Sequence, residues 1–285
     1  MAIHPLLTNS VDFELRFCVE VLKLESLHLG YSDNQNDIID SLDTLRIAQQ
    51  RYTQSLLDWT PSDVQSIVDV GCGIGDVAFA FEKSGRIVQG ISPEKNHASM
   101  FKNTLPGSSF IHSKIEDYYP KHQVDMLLMS ESNNYFSLKD GLDASTRCVK
   151  PGGYILISGF YRTSNHPLIN TNMVYTSDLE RECAQRGITI INTECTSHKI
   201  LPSLRFTESL FRHYMLPTLH IVQDLLMGFS PIIRLFLKLF MRKSGGFLHT
   251  LSEWYDANLS EGFFTQHMAY HRFLLQLPSD KNHNV

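Results

Sequence analysis

Strand and helix patterns alternate through the middle of this chain, and a glycine-rich turn follows the first strand. Ser66-Ile67-Val68-Asp69-Val70 reads as a short apolar strand that runs into Gly71-Cys72-Gly73-Ile74-Gly75. Glycines at such a turn let a ligand approach the backbone, because no Cβ intervenes. Val77 to Lys83 reads as a helix and Arg86 to Ile91 as a second strand; Pro93 then opens a helix capped by Ser92. Ser109 to His112 is a brief third strand, and Val124 to Met129 a fourth, apolar enough for burial on both faces. Leu138 to Val149 reads as helix, Lys150-Pro151-Gly152-Gly153 as a turn, and Tyr154 to Ser158 as a fifth strand. This alternation predicts a parallel, doubly wound α/β sheet.

The flanks extend the scheme. Phe13, Phe17, Val21 and Leu24 recur at helical spacing, so residues 11–30 are expected as a helix, followed by another from Leu42 to Leu57. Together they form an N-terminal helical cap over 1–60, ahead of a core over 61–199. The core continues through a helix at Asp178 to Arg186 and a strand at Ile188 to Glu194. A helical insertion over 200–262 follows, and 263–285 holds a last strand, His267 to Leu277, and a tail. An insertion at that point overhangs the carboxyl edge of the sheet, where open α/β folds bind ligands.

Composition excludes some functions. A net charge of −5 argues against nucleic acid as a partner, since such binding depends on clustered Lys and Arg. The five cysteines, Cys18, Cys72, Cys148, Cys183 and Cys195, are scattered without a CxxC pair, so no metal site is expected. They suit a reducing, cytoplasmic setting. The first residues lack the pattern of a secretory signal, and no apolar run reaches the roughly 18 residues of a membrane-spanning helix.

Four blocks in order carry a family resemblance. Val68-Asp69-Val70-Gly71-Cys72-Gly73-Ile74-Gly75 resembles the first motif of class I S-adenosylmethionine-dependent methyltransferases. The likeness continues through Val88 to Glu94, Val124 to Ser132 and Val149 to Gly153, and covers about residues 60–195. It lies with the small-molecule branch acting on sterols, quinones or polyketides. The resemblance implies a Rossmann-like, mostly parallel seven-stranded sheet with a helical cap and lid, and S-adenosyl-L-methionine as cofactor. It also implies that Gly71, Cys72, Gly73 and Gly75 line the methionine and ribose portions, with Asp69 placing the methionyl amino group. In the family the second strand ends in an acid that holds the ribose hydroxyls; here Ile91 and Ser92 occupy that place. An acid near the adenine is replaced by Lys114, beside Ile115 and Glu116. Ser92 can bond one hydroxyl more weakly than a carboxylate, and Glu94 or Glu116 can compensate.

On the substrate side, Leu27-His28-Leu29-Gly30-Tyr31 resembles a segment that precedes the core in several such enzymes, making Tyr31 a cofactor or lid contact. His28 reads as a structural histidine more readily than as a base. Ser130 and Glu131 end the fourth strand, where an acid orients cofactor, receives a substrate proton, or caps a helix. Among the histidines at 112, 166, 198, 213 and 220, His213 and His220 stand out as candidate bases, seven residues apart in the lid.

The lid is rich in aromatic and aliphatic residues, including Phe206, Phe211, Tyr214, Met215, Leu219 and Met227. These suit a hydrophobic small-molecule acceptor or ordinary helix packing. Pro231 to Lys243 carries Arg234, Lys238 and Arg242 among apolar residues; this basic amphipathic pattern fits a lid helix or peripheral membrane contact. The expectation is methyl transfer to an oxygen of a small, largely apolar metabolite. Transfer to carbon or nitrogen, and a non-catalytic cofactor-binding protein, are the alternatives.

Overall fold

A computed structural model gives the fold and describes residues 13–229, Tyr255 and residues 260–279. Seven strands form one sheet in the order β3-β2-β1-β4-β5-β7-β6. The strands are β1 (Ser66–Val70), β2 (Ile87–Ser92), β3 (Ser109–His112), β4 (Val124–Ser130), β5 (Val149–Arg162), β6 (Thr189–Cys195) and β7 (Met268–Gln276). The first five run parallel, while β7 lies antiparallel between β5 and β6. The chain thus reverses strand order after β3 and returns beside β1 with β4, which opens a crevice at the carboxyl ends of β1 and β4.

Apolar residues fill both sheet faces. Ile67, Met126, Leu128 and Leu156 belong to one core cluster; Val68, Val70, Leu127, Met129 and Ile155 belong to the other. This alternation follows from the two-residue period of a strand. Helices cover both faces: α2 (Leu42–Trp59), α3 (Asp76–Lys83), α4 (Lys95–Thr104), α5 (Leu138–Cys148) and α6 (Thr176–Arg186). α2 starts at a capping box, in which Ser41 accepts from the Thr44 N–H and Thr44 answers the Ser41 N–H. The lid contributes α7 (Ser197–Leu210), a π turn (Phe211–Met215) and α8 (Leu216–Phe229); α9 (Glu261–His267) leads into β7.

Several sequence expectations shift. The helix expected over 11–30 is reduced to α1 (Phe13–Arg16) and a π turn (Phe17–Val21), and residues 22–41 form an irregular strap. The strap binds to elements far along the chain: the Tyr31 N–H donates to Ala48 O (2.8 Å) and the Ser32 N–H to Lys199 O (2.8 Å). Those donors are unavailable to a local helix, so tertiary partners override the helical spacing of the apolar residues. The fifth strand extends beyond Tyr154–Ser158 in both directions: β7 pairs with it as far as Arg162, and at its start Val149 pairs with Val124 of β4. α4 starts two residues after Pro93, and Ser92 accepts the Glu94 N–H (3.1 Å) just ahead of it. The basic segment 231–243 lies outside the described residues. Among those described, no helix is long and apolar enough to cross a membrane.

Candidate active site at the carboxyl edge of the sheet

The glycine loop leaves β1 with three left-handed residues, Gly71 (φ +73°), Gly73 (+52°) and Gly75 (+89°). Two of them also serve packing. A Cβ on Gly71 would lie 2.6 Å from Ser132 Cβ, and one on Gly75 would lie 2.8 Å from the Phe101 ring. Gly73 is the open position, with only Leu27 Cδ1 nearby, at 3.7 Å. Cys72 and Ile91 are buried behind the loop.

Asp69, on β1, is buried. Burial pushes its carboxyl up to about 7; the Asp76 charge adds to the rise and His28 opposes it. Glu131 follows β4 in a left-handed turn (φ +55°), and its N–H donates to Ser158 O (2.7 Å), prolonging the ladder by one residue. The Glu131 Oε1 atom accepts the Leu29 N–H (3.1 Å) from the strap and the Tyr270 hydroxyl (2.9 Å) from β7. Burial raises the Glu131 carboxyl above its usual range, against the His28 charge and these two hydrogen bonds.

A chain of hydroxyls continues from Glu131. The Tyr270 proton goes to the carboxylate, so the Tyr52 hydroxyl, 3.2 Å from Tyr270, can donate to it or to Ser130 Oγ (2.8 Å). Tyr31 packs edge-on against Tyr52 at 4.9 Å and donates to Thr196 Oγ1 (3.0 Å). Burial raises all three tyrosines, Tyr31, Tyr52 and Tyr270, so their protons stay in place at neutral pH. Arg272, fully buried on β7, lies over the Trp59 and Tyr31 rings at 4.4 and 5.5 Å and is paired with Glu194. Sequence reading missed Tyr52, Tyr270 and Arg272. They are singletons in unremarkable helix and strand patterns: the return of β7 beside β5 brings Tyr270 and Arg272 to the edge, and the packing of α2 brings Tyr52 there.

The remaining candidates separate. Ser92 is buried at the end of β2, and its hydroxyl is engaged by the Glu94 N–H and by His97 Nδ1 (3.1 Å). Ile115 is buried and Glu116 half-buried beside β3, while Glu94 and Lys114 are exposed. His213 and His220 are exposed on the lid, each with Nδ1 against the carbonyl four residues earlier, Ser209 O (3.1 Å) and Leu216 O (2.9 Å). Neither makes a contact with the Glu131 cluster among the described residues. His28, passed over as structural, lies at the centre: its Nε2 is 3.1 Å from Asp76 Oδ2, and its ring lies 4.3 Å from Tyr52.

The loop fits a sulfonium nucleoside. Asp69, Asp76 and Glu131 set three carboxyl groups around bare backbone, a donor set suited to the positive ammonium and sulfonium of S-adenosylmethionine. The ribose end is weaker, because the Ser92 hydroxyl already has partners. A second recess, of about 500 Å³, lies between the strap and α7, lined by Ile38, Ile39, Leu42, Phe206, Leu210 and Tyr214 among others.

Residues 68–157 match a family model described as a methyltransferase domain. The matched stretch runs from β1 through the glycine loop into β5, so the methyltransferase-domain match and the doubly wound sheet coincide over the same elements. Among solved structures, the [4+2]-cyclase SpnF is similar over 94% of this chain and 95% of its own, at 16% identity and a TM-score of 0.67. A geranyl diphosphate C-methyltransferase from Streptomyces coelicolor A3(2), solved with Mg2+, geranyl-S-thiolodiphosphate and S-adenosyl-L-homocysteine, covers 94% of each chain at 15% identity and 0.62. A StiE O-methyltransferase, residues 942–1257, covers 94% and 90% at 12% identity and 0.60. At these identities the fold is what is shared. No curated protein matches the chain by sequence.

Proposed function

We propose that this protein transfers a methyl group to an oxygen of a small, largely apolar metabolite, with Glu131 as the group that receives the acceptor's proton. The observation that carries this reading is the Glu131 carboxylate beside the glycine loop, anchored through one oxygen by Leu29 and Tyr270. Among the described residues its other oxygen has no such anchor, and in this reading it meets an acceptor hydroxyl or carboxyl. S-adenosylmethionine supplies a methyl already activated on sulfur, so the protein's work is alignment and exclusion of water. Gly71, Cys72, Gly73 and Gly75 hold its methionine and ribose portions, Asp69 its ammonium, and Ile91, Ser92, Ile115 and Glu116 its nucleoside. Tyr31 and Ser130 brace the wall through Thr196 and Tyr52. Burial raises the Glu131 carboxyl above its ordinary value, which makes it a better base than an exposed glutamate.

The apolar recess beneath α7 supports a hydrophobic acceptor. Both carbon and oxygen acceptors occur among the methyltransferases that share this fold, so the atom methylated is the finer part of the proposal. The engaged Ser92 hydroxyl favours a second reading, a protein that binds the cofactor without transferring its methyl.

Calorimetry with S-adenosylhomocysteine, followed by labelled-methyl transfer across a panel of apolar alcohols, acids and enolisable carbons, tests these readings in turn. Binding with label on oxygen, lost in Glu131→Gln, is the expected result. Binding without turnover supports the second reading, and an absence of binding defeats both.

A further inference from the structure

We propose that His28 is a positioning residue held as an imidazolium, which pins the strap onto the glycine loop and keeps Glu131 in its carboxylate form. His28 Nδ1 lies 2.8 Å from Leu29 O, a carbonyl that can only accept, so Nδ1 carries a proton. Nε2 lies 3.1 Å from Asp76 Oδ2 and 3.2 Å from Thr53 Oγ1. A bare Nε2 could accept from the Thr53 hydroxyl, but its lone pair would then face a carboxylate oxygen at contact distance in a low-dielectric setting. A proton on Nε2 turns that repulsion into attraction and leaves Thr53 as an acceptor. Asp76 Oδ2 is buried and has no hydrogen-bond partner among the described residues, so a cation in ion-pair contact at 3.1 Å answers an otherwise unmet need.

The surroundings agree from every side. Asp76 faces the ring from the start of α3, Glu131 from the end of β4, and Tyr52 and Thr53 from α2; Asp69 feels its charge from β1. No lysine or arginine is among the groups that act on it. Burial is the largest single influence and disfavours the charge, yet the Asp76 contact, the charges of Asp76 and Glu131 and the Leu29 carbonyl together hold the imidazole above its ordinary value. In return, His28 lowers both Asp69 and Glu131.

Position follows from charge. Leu27, Leu29 and His28 are consecutive: Leu27 lies over Gly73, the Leu29 N–H meets Glu131, and His28 sits between them on Asp76. Loss of the imidazolium would remove the positive charge that acts on Asp69, Asp76 and Glu131 alike, favour the protonated form of Glu131, and loosen the strap. The consequence for cofactor binding rests on the reading proposed above; the proton count does not.

Long-range proton–nitrogen spectra of protein labelled with ¹⁵N-histidine read the count directly, with the His28 signal assigned by its loss in His28→Gln. At about pH 7.5, a unit above histidine's ordinary value, both ring nitrogens are expected to be protonated in the wild type. In Asp76→Asn the ring is expected to be neutral. A neutral wild-type ring at that pH overturns the proposal. Titration with S-adenosylhomocysteine supplies the second readout. Affinity is expected to fall as pH rises through the His28 transition, and His28→Gln to bind about tenfold more weakly at neutral pH without that limb. A His28→Gln profile identical to the wild type overturns the positioning role. Should His28→Gln fail to fold, Asp76→Asn carries both tests. A wild type that binds no S-adenosylhomocysteine defeats the functional reading, and the spectra still decide the proton count.

Discussion

At the scale of single residues, Asp69 sets stability against ligand binding. A carboxyl raised from 3.8 to about 7 binds its proton more tightly when folded, so the protonated form supports the fold. That support is complete below the ordinary value and declines as pH rises toward 7, where the buried group must ionise. Asp69→Asn removes the penalty and retains the shape. The expected outcome at about pH 8, above the shifted value, is a higher melting temperature together with S-adenosylhomocysteine affinity lowered tenfold or more, through loss of the charge that meets the ammonium. Thermal melts with and without ligand check both halves. A variant that melts no higher, or binds as well as the parent, sinks the argument. The trade is of a kind common at functional sites, where local rules are broken for the benefit of a ligand.

At the scale of elements, two junctions hold the site in place. Asp125, at the start of β4, receives the Gln65 and Ser66 N–H groups (3.0 and 2.8 Å), the Ser66 hydroxyl (2.7 Å) and Lys150 (2.6 Å). Burial opposes its charge, but these partners hold it down to about 2. A depressed acid contributes stability above its ordinary 3.8 and loses it as pH falls toward 2. Asp125→Asn is therefore expected to cost on the order of 2 kcal/mol at neutral pH, with the deficit shrinking in acid; chemical denaturation at both pH values measures it. The other junction is Gly30, where a Cβ would stand 2.5 Å from Ala48 Cβ and 2.6 Å from the Ala48 carbonyl carbon. Backbone cannot yield as a side chain can, so Gly30→Ala is expected to lift the strap from α2. Faster hydrogen exchange over residues 24–32, with β1 and β4 unchanged, is the predicted signature. These junctions mark the limit of what the sequence discloses. The strands around the glycine loop are legible because their apolar runs are short and bounded by glycine or proline. Glu131 is legible because it directly follows such a run. The strap is not, because Phe13, Phe17, Val21 and Leu24 lead into it with a helical spacing, while the backbone partners of Tyr31 and Ser32, Ala48 and Lys199, are chosen only after folding. Tyr270 and His28 are hidden for the same reason: each acts through a residue more than a hundred positions away or through a loop in another element.

At the scale of the whole molecule, the site joins three parts of the chain that share no local sequence: the strap, the carboxyl ends of β1 and β4, and β7. Two titrations act on this assembly in opposite senses. Asp69 ionises as pH rises through about 7, which strengthens its hold on an ammonium group. His28, raised above its ordinary value, loses its proton at higher pH, which removes the countercharge beside Asp76 and Glu131 and releases the strap. Binding of S-adenosylhomocysteine is thus expected to pass through a maximum, with an acid limb governed by Asp69 and a basic limb by His28. Asp69→Asn should flatten only the acid limb, and His28→Gln only the basic one. Since a ligand at a hundred times its dissociation constant stabilises the folded form by about 2.7 kcal/mol, thermal shifts across the pH range can trace the profile without knowledge of the acceptor. The two variants should move opposite limbs; if either flattens both, the carboxyl and the imidazole belong to one coupled titration and the division of labour between β1 and the strap is wrong. A monotonic wild-type profile would instead mean that only one of these groups reports to the ligand.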